Sequence, residues 1–156
     1  MDRNGRKLKK SLKERKAEID YTKIDRNIRT VVRLLNKFPF LITTSCCEGH
    51  PSAIGFDHFV AEGYVTMDIF DEKKFIEVMK EITSPFLKKT GLPLNLTKHY
   101  IFGEEGRMDG DSHYRLAYYF GFESVEEGKK ALRKCQQCLR TLLLDYQRRH
   151  KDVLDR

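Results

Sequence analysis

The sequence predicts an α+β fold in which an N-terminal helix precedes two strand-strand-helix units. Three segments carry apolar residues at helical spacing, and four shorter segments have the apolar or aromatic composition of strands. The predicted strands come in adjacent pairs with short links, which favours antiparallel pairing. We therefore expect a four-stranded, mainly antiparallel sheet with the helices on one face.

The first predicted helix spans 24–36 and is followed by a strand at 40–45. The apolar stripe of the helix consists of Ile24, Ile28, Val31 and Leu35. Thr22, with Asp25 three residues later, is the predicted N-cap. A second strand is predicted at 64–70, after Gly63.

The second helix is predicted to begin after Asp71, which can cap its N-terminus. Its predicted inner face consists of Phe75, Val78, Met79, Ile82 and Phe86. Aromatic-rich strands follow at 94–102 and 113–122, on either side of a polar, glycine-rich loop. Ser124 begins a capping-box pattern that opens the last helix. The predicted buried face of this helix consists of Ala131, Leu132, Cys135, Leu139, Leu142 and Tyr146.

Chain length and composition indicate one domain, predicted at 19–150, between a basic flexible arm (1–18) and a short tail (151–156). No apolar run is long enough to span a bilayer, which predicts no membrane association. The basic N-terminus lacks the apolar segment of a secretory signal. Four cysteines without such a signal indicate a reducing compartment, so we expect a cytoplasmic protein.

Charge is distributed unevenly along the chain. Residues 1–33 hold 12 basic against 5 acidic residues, residues 34–128 hold 9 against 15, and residues 129–156 hold 9 against 3. Basic ends attract polyanions through counterion release, which makes RNA a candidate partner of the termini. The same ends could instead contact the acidic middle of another copy in a homo-oligomer, or serve solubility alone.

The richest chemistry lies in residues 43–50, with the sequence Thr-Thr-Ser-Cys-Cys-Glu-Gly-His at the end of a predicted strand. The candidate catalytic residues are Ser45, Cys46, Cys47 and His50. Neighbouring side chains on a strand point to opposite faces, so one of the two cysteines at most joins a buried site. A thiolate nucleophile needs a lowered pKa, and His50 could act as its base or cation. The alternative is that the thiols fill core space.

Other candidate groups are weaker. Cys135 and Cys138 have metal-ligand spacing, and a zinc site would also need Cys46 or Cys47 and His50 or His99. Both helical cysteines lie in an apolar stripe, so we expect core thiols and no metal site.

Asp109, Asp111 and His113 alternate and could bind a hard cation, but a solvated hairpin tip is favoured. Alternation also places Tyr119 opposite the other strand aromatics, where Arg115 and Tyr119 could serve an open face.

Residues 19–50 resemble the opening of the archaeal and eukaryotic wybutosine-synthesising methyltransferase family, which acts on transfer RNA. In that family a helix ending in Asn and a short apolar segment lead into a Thr-Thr-Ser-Ser-Cys-Ser-Gly-Arg type motif. The matching positions are Thr43, Thr44, Ser45, Cys47 and Gly49, whereas Cys46, Glu48 and His50 depart from the motif. The resemblance implies methyl transfer from S-adenosylmethionine to a modified guanosine, with Thr43, Thr44 and Gly49 at the cofactor. The Ser-Cys-x-Gly-His variant is also similar to uncharacterised bacterial and phage proteins, a likeness that implies nothing about activity.

Three functional hypotheses follow from these observations. The first is an RNA-associated protein, related in activity to transfer-RNA modification, in which the turn at 43–50 is the working site. The second is a thiol- or metal-dependent enzyme acting on a small molecule, with Cys46 or Cys47 as nucleophile or ligand. The third is a non-catalytic module that associates with itself through its basic and acidic regions.

Overall fold

The polypeptide forms an antiparallel sheet covered by helices, which confirms the predicted α+β fold. The structure is a computed structural model and describes residues 10–53, 59–100 and 112–154. Its elements are α1 (Leu12–Ala17), α2 (Arg29–Leu35), β1 (Leu41–Cys47), β2 (Ser52–Ala53), β3 (Phe59–Ile69), α3 (Glu72–Thr90), β4 (Asn95–His99), β5 (Ser112–Phe122) and α4 (Val125–Arg149). No helix in these described ranges is long and apolar enough to cross a bilayer.

The sheet follows the order β1-β3-β5-β4, and the two-residue β2 also pairs with β3, nearer the N-terminal end of that strand than β1 does. All pairs are antiparallel, as predicted. β3 begins five residues before the predicted strand start at residue 64. Gly63 had suggested a boundary, but it lies inside β3 opposite Tyr118. A Cβ at Gly63 would lie 2.3 Å from the Tyr118 ring, so the glycine makes room for a buried aromatic side chain.

The helices bury their apolar sides in one continuous core against the sheet. In α3 the buried residues are Phe75, Val78, Met79, Ile82 and Phe86, which confirms the predicted inner face. Asp71 caps α3 and Ser124 caps α4, each by accepting a hydrogen bond from the backbone three residues later. The position of α4 matters most for function, because this helix contacts α2, α3, β3 and β5.

The first predicted helix is shorter than expected. We predicted 24–36 with Thr22 as the cap, but α2 begins at Arg29 and Thr22 lies in a separate 3-10 helix, Tyr21–Lys23. The Asp20 carboxylate accepts a hydrogen bond from the Thr22 N–H and begins that 3-10 helix instead. Asp25 therefore lies in the loop before α2, where its carboxylate can reach the turn that follows β1.

Both chain ends include short helical elements within the described residues. Ser11 and Glu14 form a reciprocal capping box that begins α1. Arg15 donates to the Asp68 carboxylate at 2.8 Å, and Lys16 donates to the Phe38 carbonyl at 2.6 Å. These contacts attach α1 to the domain, whereas residues 1–9 of the predicted arm lie outside the described residues. Beyond α4, a 3-10 helix (Lys151–Val153) forms part of the predicted tail.

Candidate functional site

A β-bulge in β1 divides the predicted site between two faces of the sheet. The pairing with β3 shifts between Thr43 and Ser45, so Thr44 is an extra residue. Thr43 lies against α2, where its N–H donates to the Asn36 side chain at 2.9 Å and its hydroxyl accepts from Asn36 at 2.7 Å. On the opposite face, the hydroxyls of Thr44 and Thr66 lie 3.0 Å apart.

The two adjacent cysteines have different environments, as strand alternation predicted. Cys46 packs against the hydrophobic core. Burial, and secondarily the charge of Asp25, raise the pKa of the Cys46 thiol, which opposes the formation of a nucleophilic thiolate. Cys47 instead lies near Asp25 and His50. The structure therefore separates Cys46 from the chemistry we had assigned to it jointly with Cys47 and His50.

After Cys47 the chain leaves the β3 ladder and turns at Gly49. This glycine is buried and has φ of +95°, a conformation that side-chain-bearing residues rarely adopt. A Cβ at Gly49 would lie 2.6 Å from Leu132 Cδ2 and 3.0 Å from the Glu62 carbonyl oxygen. On the same turn, Gln136 donates to the Glu48 carbonyl at 2.6 Å. The turn is thus held between the backbone of β3 and two side chains of α4.

The turn brings three potential ligands together. One side-chain ligand atom from each of Asp25, Cys47 and His50 lies within 4.8 Å of the other two. The Glu48 N–H donates to Asp25 at 3.4 Å, and the Asn27 N–H donates to the Glu48 carboxylate at 3.2 Å. We call Asp25, Cys47 and His50 the ligand triad. Sequence reasoning missed Asp25 because we had placed it within the first turn of a helix.

Two small clefts lie along α4, and the first of them is lined by residues of the turn. The first has a volume of about 170 Å³, and its lining includes Glu48, Gly49, His50, Lys129 and Arg133. The second has a volume of about 220 Å³, and its lining includes Arg26, Thr30, Arg133, Gln137 and Arg140. Both are also lined by Asn27 and Gln136, and we call them together the α4 cleft. Sequence reasoning had marked the C-terminal region as basic but could not place its charges beside the turn.

A larger cleft lies on the same face of the sheet as Thr44 and Ser45, which form part of its lining. Its volume is about 720 Å³, and its lining also includes Asp68, His113 and Arg115. Asp68 is 7% exposed and accepts hydrogen bonds from Arg15 at 2.8 Å and from His113 Nδ1 at 2.6 Å. These two contacts satisfy the carboxylate within the protein. Arg115 stacks on Tyr64 with its guanidinium carbon 4.1 Å from the ring centroid.

The remaining sequence candidates do not form a site in the described part of the chain. Burial raises the pKa of Cys135 to about 12 and also raises the pKa of Cys138. Cys135 is buried and Cys138 packs partly buried against the core, as predicted for core thiols. Asp109 and Asp111 lie outside the described residues. Tyr119 is 53% exposed, on the sheet face opposite the buried strand aromatics, as alternation predicted.

The residues that the family resemblance implied for S-adenosylmethionine do not share one surface. Thr43 is bonded to α2, the Thr44 hydroxyl is bonded to β3 on the opposite face, and Gly49 is buried beneath α4. The predicted cofactor contacts are therefore not brought together by the fold.

Comparisons with known proteins add a structural neighbour. No family model matches the chain, and no curated protein matches its sequence. Among solved structures, the chain is similar to the PH1069 protein from Pyrococcus horikoshii, with 10% sequence identity and a TM-score of 0.44. That similarity covers 78% of this chain and 86% of the Pyrococcus chain.

Proposed function

We propose that this protein binds RNA through the α4 cleft and acts on it at the turn that follows β1. The observation that carries the proposal is a set of cationic side chains without acidic partners beside that turn. These side chains belong to Arg26, Lys129, Arg133 and Arg140. Within the ranges that the structure describes, none of the four makes an ion pair.

The four cations are notable because they line one cleft without ion pairs, whereas several other basic residues of the domain are neutralised locally. Arg15, Lys98, Arg115 and Arg149 form ion pairs at 2.8–2.9 Å with carboxylates. Charges that lack such partners remain available to bind phosphates and release counterions. In the α4 cleft, Lys129 and Arg133 lie one turn apart on α4, Arg140 lies two turns further along, and Arg26 lies on the loop before α2. This spread of charge forms an extended track and not a single anion site.

The polar groups of the cleft suit a nucleic acid better than a simple inorganic anion. Asn27 and Gln137 are exposed, line the cleft with the cations and provide amide donors and acceptors. The Glu48 carboxylate also lines the cleft, but the Asn27 N–H occupies one of its oxygens. Phosphate contacts would position a strand, while the amides and His50 could contact its sugars and bases.

The resemblance of residues 19–50 to the wybutosine-synthesising family makes transfer RNA the first RNA to test. The positions that carry this resemblance include Cys47 and Gly49, and both belong to the turn at the edge of the α4 cleft. The motif that resembles this family therefore lies next to the proposed basic surface of the α4 cleft. It assigns no reaction step to S-adenosylmethionine, since Thr43, Thr44 and Gly49 do not share a surface.

The proposal is tested by measuring transfer-RNA affinity over a series of salt concentrations. We expect the affinity of the native protein to fall as salt rises. The double variant Lys129→Ala/Arg133→Ala should bind more weakly, and its salt slope should be smaller by about two, one for each lost phosphate contact. Both side chains are exposed, so the fold should persist.

The matched control is Lys73→Ala/Lys80→Ala, which removes the same charge from exposed positions on α3 that do not line the α4 cleft. It should retain nearly native affinity and salt slope, because net charge alone contributes only a diffuse attraction. Equal losses in the two double variants would contradict an RNA surface at the α4 cleft. So would a native affinity that is independent of salt.

A further inference from the structure

We infer that Asp25, Cys47 and His50 form a Zn²⁺ site, with one coordination position left for solvent or substrate. The inference is separate from RNA binding, because it rests on the ligand triad and not on the cationic side chains. It also replaces the zinc assembly considered from sequence, which required Cys135 and Cys138. Only the turn after β1 and the loop before α2 contribute to it.

The three ligand atoms lie close to one another. Zinc bond lengths of 2.0–2.3 Å place tetrahedral ligand atoms about 3.3–3.6 Å apart. The atoms of the triad all lie within 4.8 Å of one another. Side-chain rotations that move these atoms by about 1 Å would bring them to the distances of tetrahedral zinc ligands. A Cys-His-Asp catalytic relay has a different shape, because its imidazole stands between the thiol and the carboxylate and separates them. In the triad, a single histidine nitrogen is close to both of the other groups.

The backbone prepares this arrangement in advance. Gly49 at φ +95° reverses the chain between Cys47 and His50, and the Leu132 side chain and the Glu62 carbonyl leave no space for another residue there. Gln136 fixes the Glu48 carbonyl from the opposite side. The Glu48 N–H donates to Asp25 Oδ2 and orients that carboxylate, which is the kind of outer-shell contact that metal ligands have.

The chemistry of the donors selects the metal. A thiolate and an imidazole are soft or borderline ligands that favour Zn²⁺ over Mg²⁺ or Ca²⁺, which prefer oxygen ligands alone. Three protein ligands are typical of catalytic zinc sites, in which the fourth position holds water. His50 lines the α4 cleft, so a bound ion would lie beside the proposed RNA surface. In that position it could activate a water molecule or polarise a substrate oxygen.

Metal binding by the full-length protein tests the inference directly. Protein without a polyhistidine tag would be titrated with Zn²⁺ in competition with a chromophoric chelator, and with Co²⁺ as a spectroscopic probe. We expect one ion per chain, a thiolate-to-cobalt charge-transfer band and the strong visible bands of tetrahedral Co²⁺. Cys47→Ser and His50→Gln should each weaken Zn²⁺ binding by at least about tenfold.

The neighbouring cysteine provides the control. Cys46→Ser removes an adjacent thiol that packs against the core and should leave the stoichiometry and the cobalt spectrum unchanged. Circular dichroism of each variant without metal shows whether it folds. Asp25→Asn changes the third ligand, which is exposed. Absence of stoichiometric Zn²⁺ binding would overturn the proposed site. Zn²⁺ binding that survives loss of both Cys47 and His50 while Cys46→Ser abolishes it would also overturn the site. RNA binding can fail without affecting either result.

Discussion

At the scale of single residues, Gly49 determines the local geometry of the site. It is one of two glycines with positive φ among the described residues, and the other is Gly91, which ends α3 at φ +73°. The two positions differ in their surroundings. A Cβ at Gly49 would contact Leu132 and the Glu62 carbonyl, whereas a Cβ at Gly91 would meet no atom within 4 Å. Substitutions at the two glycines therefore distinguish the cost of backbone strain, which applies to both positions, from the cost of a steric clash, which applies to Gly49.

We predict that Gly49→Ala destabilises the protein more than Gly91→Ala. The left-handed conformation costs an alanine about 1–2 kcal/mol at either position. At Gly49 the clash with Leu132 and β3 adds about 1–3 kcal/mol. Urea unfolding at equilibrium measures both variants. Equal losses of unfolding free energy would show that Leu132 gives way and that the turn is not tightly enclosed.

At the scale of secondary-structure elements, α4 connects the hydrophobic core to the turn that follows β1. Its buried residues include Leu132 and Gln136, one of which packs over Gly49 while the other donates to the Glu48 carbonyl. Its exposed residues include Lys129 and Arg133, which line the α4 cleft. The same helix therefore positions the turn with its buried residues and provides the cationic surface with its exposed ones.

Adjacent glutamines on α4 test this role. Gln136→Leu should lower the unfolding free energy by about 1–3 kcal/mol, because it removes the hydrogen-bond donor of the partly buried Glu48 carbonyl. Gln137 is exposed, and Gln137→Leu should change stability by no more than about 0.5 kcal/mol. Chemical denaturation of the two variants provides the comparison. A neutral effect of Gln136→Leu would mean that water replaces the lost donor and that α4 does not hold the turn.

At the scale of the whole molecule, burial keeps several weak acids protonated. Burial raises the pKa of Cys135 from 9.0 to about 12, and burial together with the Glu72 hydrogen bond raises the pKa of Tyr114 from 10.0 to about 12. Burial also raises the pKa of Tyr118. In each case the folded protein retains a proton at a pH where the unfolded chain has lost it.

The sign of these shifts predicts a loss of stability in alkaline solution. Raised pKa values stabilise the fold fully below the unfolded values and progressively less as pH rises from about 9 toward 12. The urea midpoint should therefore fall over this interval. Cys135→Ala removes one of the titrating groups and should reduce the slope, although its cavity lowers stability at neutral pH. A midpoint that stays constant to pH 12 would contradict the buried placement of these groups.

The sequence alone determined the fold class and most of the core, because apolar spacing reflects burial in regular elements. The inner face of α3, the caps at Asp71 and Ser124 and the exposed position of Tyr119 were all predictable from local pattern. The tertiary structure decided the site. Strand alternation already separated Cys46 from Cys47, but only the reversal at Gly49 and the loop before α2 bring Asp25, Cys47 and His50 together. These contacts join segments that are distant in sequence, so no local spacing rule could reveal them.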